Sequence, residues 1–329
     1  MSDAIWFTLC AALIFFSGSR LSHYGDRIAE VTGVGRAWLG LILLATVSSL
    51  PELFVGIGSA GIQGNADLAV GDVLGSCVFN LLILSVLDAF HRGPGLLNTT
   101  APKHVLIAAL GIVLLALVGF GLYLPRQMPV MGWVGVLSLV FVGVYIVAMR
   151  IMHRQYADES GTEEAQDNAS KPGELRRLFL WYGLHALVVI TAALFLPGFA
   201  EGIMAATGLK ASFVGTLLLA TSTSLPEIAV SVAALRLGAV DMAVSSLLGS
   251  NLFNIVILAI DDMVYREGFL LKDASNVHLI SVFSTIIMSA IVIVGLSFRM
   301  APKRFLLAWD TFLILVVYVI NLVVLYRIA

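Results

Sequence analysis

Charge and cysteine are scarce in this sequence. Asp, Glu, Lys and Arg together make up 12% of 329 residues, where soluble globular chains carry about 25%. Hydrophobic residues reach 59%, with a mean hydropathy of +0.98, and this combination excludes an ordinary water-soluble enzyme. The 19 basic residues are offset by 21 acidic ones, for a formal charge of −2, so no basic face suits nucleic acid. The only two cysteines, Cys10 and Cys77, lie far apart in apolar runs, which removes a disulfide scaffold and a thiolate metal site. The six histidines form no HExxH pattern, so a zinc hydrolase lacks its ligands. No GxxxxGK[ST] loop is present to hold ATP. The chain reads as a non-enzyme without a cofactor.

Long apolar runs take the place of these missing features. A membrane-crossing helix needs about 20 apolar residues. Ten candidate spans fall near 4–19, 37–62, 67–89, 104–124, 130–151, 177–197, 211–235, 241–261, 277–298 and 305–326. The N-terminal run lacks a basic start and a small-residue cleavage site, so it reads as the first span. Pro197-Gly198 is expected to end or hinge the sixth span. The polar segment 154–176, with DESGTEEAQDNASKPGE at its heart, has too few apolar residues for a core. It divides the chain into a five-span half (1–153) and a second five-span half (177–329).

The halves repeat. WLGLILLATVSSLPE at 38–52 matches FVGTLLLATSTSLPE at 213–227, and DLAVGDVLGSCVFN at 67–80 matches DMAVSSLLGSNLFN at 241–254. The offsets are 175 and 174, the one-residue change falling between the blocks. Five spans per copy means that the second copy enters the membrane from the opposite face. The fold class expected is therefore an all-α polytopic membrane protein, with ten helices in two inverted five-helix repeats. The basic residues distribute 14 to 5 between the two sides of this layout. By the positive-inside rule both termini are outside and the 154–176 linker is cytoplasmic, in an inner or plasma membrane.

Chemistry concentrates where the repeats agree. Pro51 and Pro226 sit mid-span, so helices 2 and 7 are expected to break there. Carbonyls freed by the breaks need new partners in lipid. Ser48, Ser49, Thr223 and Ser224 bring hydroxyls to the same spot, and Glu52 and Glu227 follow at once. An acid at the bilayer centre costs about 2.5–3.5 kcal/mol, so a symmetric pair calls for a cation. Carboxylates, hydroxyls and carbonyls form the oxygen shell that Ca²⁺ prefers. Asp72, Ser76 and Asn80, spaced i, i+4, i+8, line one face of the next span, matched by Ser246, Ser250 and Asn254. Gly75 and Gly249 leave room for close helix approach. Asp88 and Asp262 extend these stripes to the span ends, where solvated funnel residues are expected. Lone His185 reads as a hydrogen-bonding residue.

The doubled SLPE and GSxxFN blocks resemble the α-repeats of the cation/Ca²⁺ exchanger superfamily, especially its prokaryotic sodium/calcium exchanger-like branch. The resemblance implies an ion-holding core of spans 2, 3, 7 and 8, across which spans 1 and 6 slide. It also implies that Glu52 and Glu227 are the central Ca²⁺ ligands and that Ser49, Ser76, Ser224 and Ser250 are the sodium-site hydroxyls. Ala45 and Ala220, with Ser48 and Thr223, match positions offering backbone carbonyls, and Asn80 and Asn254 match the polar position ending each block. The chain departs from the family pattern at Asn254 (Asp in sodium-driven members), at Asp72 and at Cys77 (Asn is usual at both).

The expected function is secondary-active antiport of Ca²⁺, or a similar cation, against Na⁺ or H⁺ by alternating access. The lipid bilayer and these ions are the expected partners. A cation channel with an acidic constriction is the alternative. With Asn254 neutral, two obligatory carboxylates balance one Ca²⁺, two Na⁺ or two protons, so electroneutral exchange is expected. Asp72 is a possible accessory acid, two helical turns from Asn80.

Overall fold

The computed structural model describes residues 2–32, 47–124, 128–159, 174–298 and 306–328. In chain order the main helices are α1 (Ser2–Thr32), α2 (Leu50–Ile62), α3 (Ala66–Phe90), α4 (His104–Tyr123) and α5 (Val136–Glu159). They continue with α6 (Glu174–Thr207), α7 (Ala211–Thr223), α8 (Leu225–Arg236), α9 (Val240–Val264), α10 (Leu279–Ser297) and α11 (Trp309–Ile328). Seven of the described helices are long and apolar enough to cross a membrane, and α7 with α8 makes an eighth if that bent pair is one span.

Similar hydropathy with different burial separates centre from rim. The most apolar windows of α3 and α9 are 78% and 83% buried, whereas those of α6 and α11 are 17% and 22% buried. Side chains such as Phe16, Leu180, Leu187, Phe195, Phe283 and Ile320 face outward, as lipid contact requires. Lipid is as apolar as leucine, so close packing and internal hydrogen bonds must hold the centre. Glycine supplies the packing. A Cβ at Gly75 would fall 2.6 Å from the Thr216 Cα, and one at Gly71 3.1 Å from the Gly215 Cα, so α3 lies backbone to backbone on α7. The expected role of Gly75 is thus realised.

Hydrogen bonds join the two halves at both ends of the bundle. His104 lies 3.0 Å from Asp241, and His278 lies 2.9 Å from Asp67. Each pair takes its histidine from one half and its aspartate from the other, at positions 174 apart. Asp67 also accepts from the Ser275 N–H, and Asp241 from the Ala101 N–H. The start of α3 and the end of α9 therefore share one end of the bundle.

Several sequence boundaries shift. Residues 130–135 form a two-stranded hairpin, β1 (Val130–Met131) with β2 (Val134–Gly135), turned at Gly132 with φ +68. The fifth span therefore becomes helical only at Val136. The segment 154–176 is helical up to Glu159 and again from Glu174, since α5 and α6 extend into it. Pro197 does not end the sixth span. α6 continues through it to Thr207, with Leu194 and Pro197 packed on Gly58 of α2. α1 and α6 pack along each other, and Gly18 of α1 meets the Pro226 ring.

Candidate cation site

The two SLPE motifs adopt one local geometry. Ser49 has φ −88, ψ 12 and Ser224 has φ −86, ψ 6, and each leads into a helix with proline in its first turn. Proline fits there because a first-turn N–H has no intrahelical acceptor. The backbone N–H of Leu53 returns to Ser49 O at 3.1 Å, and that of Ile228 to Ser224 O at 3.4 Å. Between α7 and α8 the axis bends by 44°. Glu52 and Glu227 each fall in the first helical turn, where the N-terminal end of the helix dipole favours negative charge.

Both glutamates are buried, 0% and 2% exposed, and close enough to repel each other. Each motif serves the acid of the other. Ser224 Oγ donates to Glu52 Oε1 at 2.9 Å, and Ser49 Oγ reaches Glu227 Oε1 at 3.5 Å, with Ser48 also bonded to Glu227. Ser76 from α3 joins Glu52 Oε1 at 3.3 Å and lies 3.0 Å from Ser224 Oγ. Thr223 Oγ1 lies 3.3 Å from Ser76 Oγ and 3.2 Å from Asp72 Oδ1. It is equally near the Leu219 and Ala220 carbonyls, at 3.2 Å. A hydroxyl has one proton to give, so these acceptors compete for it. Asp72 is thus two hydroxyls away from Glu52, although it is two turns from Asn80 along α3.

Several buried atoms of this centre have no hydrogen-bond partner among the described residues: Glu52 Oε2, Glu227 Oε2, Asp72 Oδ2, Asn80 Oδ1, Ser250 Oγ and both amide atoms of Asn254. Native interiors leave few such groups. All but one are oxygens, the donor type of hard cations. No three His, Cys, Asp or Glu side chains come together among the described residues.

The remaining expected positions resolve individually. Ala220 O accepts from Ser224 N–H at 3.1 Å as well as from Thr223. Ala45 lies outside the described residues. Asn80 gives its Nδ2 to Asn251 Oδ1 at 3.0 Å, and Asn251 Nδ2 binds Cys77 O at 3.1 Å. Asn251 is a residue that sequence reasoning passes over. Its signal is positional, because it is the second-copy equivalent of Cys77. Asp88 and Asp262 are not solvated funnel residues. Asp88 is fully buried and accepts from Leu96 N, Ala308 N and Thr311 Oγ1 at 2.8, 2.7 and 2.6 Å. Asp262 accepts from Leu270 N, Gly135 N and Ser138 Oγ at 2.8, 2.8 and 2.6 Å. Each ties its own helix end to the other half, which explains how a carboxylate survives burial.

A lipid-facing helical body with acids and hydroxyls at its centre is the build of a membrane protein that handles ions. The family model described as sodium/calcium exchanger protein matches residues 2–151 and 177–327, and the chain belongs to that family. It is 29% identical over 248 residues to the inner membrane protein YrbG of Escherichia coli, covering 75% of this chain and 74% of that one. Its fold is similar to the crystal structure of the H⁺/Ca²⁺ exchanger CAX, with TM-score 0.73 and 15% identity over 99% of this chain and 84% of that one. It is also similar to the sodium-calcium exchanger NCX_Mj, with TM-score 0.62 and 19% identity over 98% of both chains.

Proposed function

We propose that the chain exchanges Ca²⁺ for H⁺ or Na⁺ by alternating access, with Glu52 and Glu227 as the central Ca²⁺ ligands. The observation that carries this reading is the set of buried oxygens, unpartnered among the described residues, around two mutually repelling carboxylates. Ser49, Ser76, Ser224, Ser250, Asn80 and Asn254 complete the oxygen set, with Ser48, Thr223 and Ala220 beside it and Asp72 at its edge; Ala45, outside the described residues, keeps the carbonyl role that the family resemblance gives it. Only an occupied centre is electrostatically tolerable while access switches, because uncompensated charge in low dielectric is expensive. That requirement enforces exchange.

The ten-span plan accounts for the helices if the shorter apolar helices Leu50–Ile62 and Val136–Ile151 count with the eight others. In that plan 1–153 and 177–329 are inverted repeats around a 154–176 cytoplasmic linker, and both termini are outside. α1 and α6 are the sliding pair. Their contacts with Pro226 and with Gly58 of α2 couple such a movement to both Pro-Glu segments.

Glu52→Gln and Glu227→Gln each remove one of the two charges while keeping side-chain size. Each is expected to abolish ⁴⁵Ca²⁺ uptake by proteoliposomes containing correctly folded protein. Wild-type-like uptake in either variant would remove the site. Stoichiometric counterflow of H⁺ or Na⁺ distinguishes exchange from conduction through a channel.

A further inference from the structure

A crevice of about 510 Å³ opens between α1 and α8, within the usual size of a small-molecule site. Phe15 of α1 lines it with Ile228, Ala229, Val232 and Ala233 of α8, and Arg236 stands at its end. One turn beyond Phe15, Gly18 meets the Pro226 ring, which brings α1 and α8 together at the depth of the central site. From Pro226 to Arg236 is ten residues, about 15 Å of helix and half of a bilayer's ~30 Å hydrocarbon thickness. The crevice therefore follows the course of one acyl chain in one leaflet.

Its walls are apolar and its end is a cation. Arg236 is exposed and lies in the last turn of α8, where a basic side chain often serves the final carbonyls. That task is already filled here. The carbonyls of Ala233, Ala234 and Leu235 accept from the N–H groups of Leu237, Gly238 and Ala239, with Gly238 at φ +76 making the reversal. Among the described residues no carboxylate pairs with Arg236. Its guanidinium is a fork shaped for phosphate oxygens.

The first half has no such place. Ala229, Ala233 and Arg236 correspond to Phe54, Gly58 and Gly61, at an offset of 175. Phe54 packs into the apolar cluster that holds Ala193 and Leu196 of α6, and Gly58 lies against Leu194 and Pro197. There a ring fills the space and the helices close; here two alanines leave it open and a cation marks its mouth.

We propose that the α1–α8 crevice is a binding site for an anionic phospholipid, with one acyl chain between the helices and the phosphate on Arg236. A tail alone would have no preference for the crevice, because lipid is as apolar as leucine. The charge at the mouth supplies the selection. A peptide strand is the poorer occupant, since apolar walls offer its backbone no partners at this depth. The site is separate from the cation centre, and the inference does not depend on which ions are exchanged.

The test uses the full chain in proteoliposomes containing phosphatidylglycerol with a photoactivatable acyl chain, and a phosphatidylcholine probe with the same chain. Labelled residues are mapped by mass spectrometry, and bound lipid is counted in native mass spectra. The expected result is phosphatidylglycerol label concentrated at Phe15 and at 229–233, well above that on the lipid-facing helices α6 and α11. Arg236→Gln should weaken retention about fivefold, the effect of one basic residue beside anionic lipid. Ala229→Phe, which installs the residue of the other half, should remove the label from the crevice. Arg236→Gln changes an exposed residue and decides the matter if Ala229→Phe does not fold. Label spread evenly over all lipid-facing helices, equal labelling by phosphatidylcholine, or unchanged retention in Arg236→Gln overturns the proposal. A dimer that carries no lipid and shields the crevice from the probe also overturns it.

Discussion

The two motif serines occupy equivalent positions but are not energetically equivalent. Ser224 Oγ is 2.9 Å from Glu52 Oε1, whereas Ser49 Oγ is 3.5 Å from Glu227 Oε1, the outer limit of a hydrogen bond. Glu227 also keeps Ser48. A hydrogen bond to a charged group contributes about 1.5–3 kcal/mol, or about 10- to 150-fold in an equilibrium constant. Ser76 stays beside Glu52 at 3.3 Å and takes up part of the loss, so the lower end applies. Ser224→Ala is expected to raise the apparent Kd for Ca²⁺ about tenfold, because fewer centres hold Glu52 ionised and ready for a cation. Ser49→Ala is expected to change it by no more than about threefold. Equilibrium ⁴⁵Ca²⁺ binding to the purified, detergent-solubilised variants at one pH measures both. Equal losses, or a larger loss in Ser49→Ala, would refute the reasoning from these distances.

Thr311→Val removes one of the donors to Asp88, and Ser138→Ala one of those to Asp262. Each should cost about 1–3 kcal/mol of stability, read as a lower thermal midpoint with unchanged transport per folded molecule; solvated aspartates would show no such loss. Gly75→Val places a Cβ 2.6 Å from the Thr216 backbone and should prevent folding, whereas Gly143→Ala, with nothing within 4 Å, should not. Size-exclusion profiles of the two after membrane extraction decide this.

The sequence was informative where chemistry is repeated and silent where it depends on the partner half. Paired Ser-Leu-Pro-Glu blocks announce a break, a hydroxyl and an acid at the same place twice. The cross-service, in which Ser224 attends Glu52 and Ser49 attends Glu227, is not legible in either block alone. Asp88 and Asp262 looked like interfacial acids because span ends usually meet water. Two of the three donors to each, Ala308 and Thr311 in one case and Gly135 and Ser138 in the other, are more than 120 residues away. Asp261 adjoins Asp262 and shares its local sequence, yet Asp262 meets three donors while the Asp261 carboxyl lies against Gly56 of another helix. Pro197 gave the opposite lesson. A proline in a long helix predicted an end or a hinge; neighbouring α2 packs on the turn and α6 runs on without ending, as membrane helices can when neighbours satisfy the backbone.

The charge count of the centre yields the last prediction. Glu52 and Glu227 supply two negative charges, which one Ca²⁺ or two monovalent ions balance. Asn254, fully buried and with both amide atoms unpartnered among the described residues, stands where a third charge would have most effect. Asp72 is offset from it toward Thr223 and does not fill that role. Wild-type exchange should therefore be electroneutral. Asn254→Asp should favour a third monovalent ion, so that one net charge crosses for every Ca²⁺. One charge moving through 100 mV is worth about 2.3 kcal/mol, which is about 50-fold in the Ca²⁺ accumulation ratio. Proteoliposomes clamped at different potentials should show flat Ca²⁺ accumulation in the wild type and a steep dependence in Asn254→Asp. Asp72→Asn should leave the wild-type flatness intact. A wild-type flux that rises steeply with potential, and is the same in Asn254→Asp, would show that charge at this position does not set the stoichiometry.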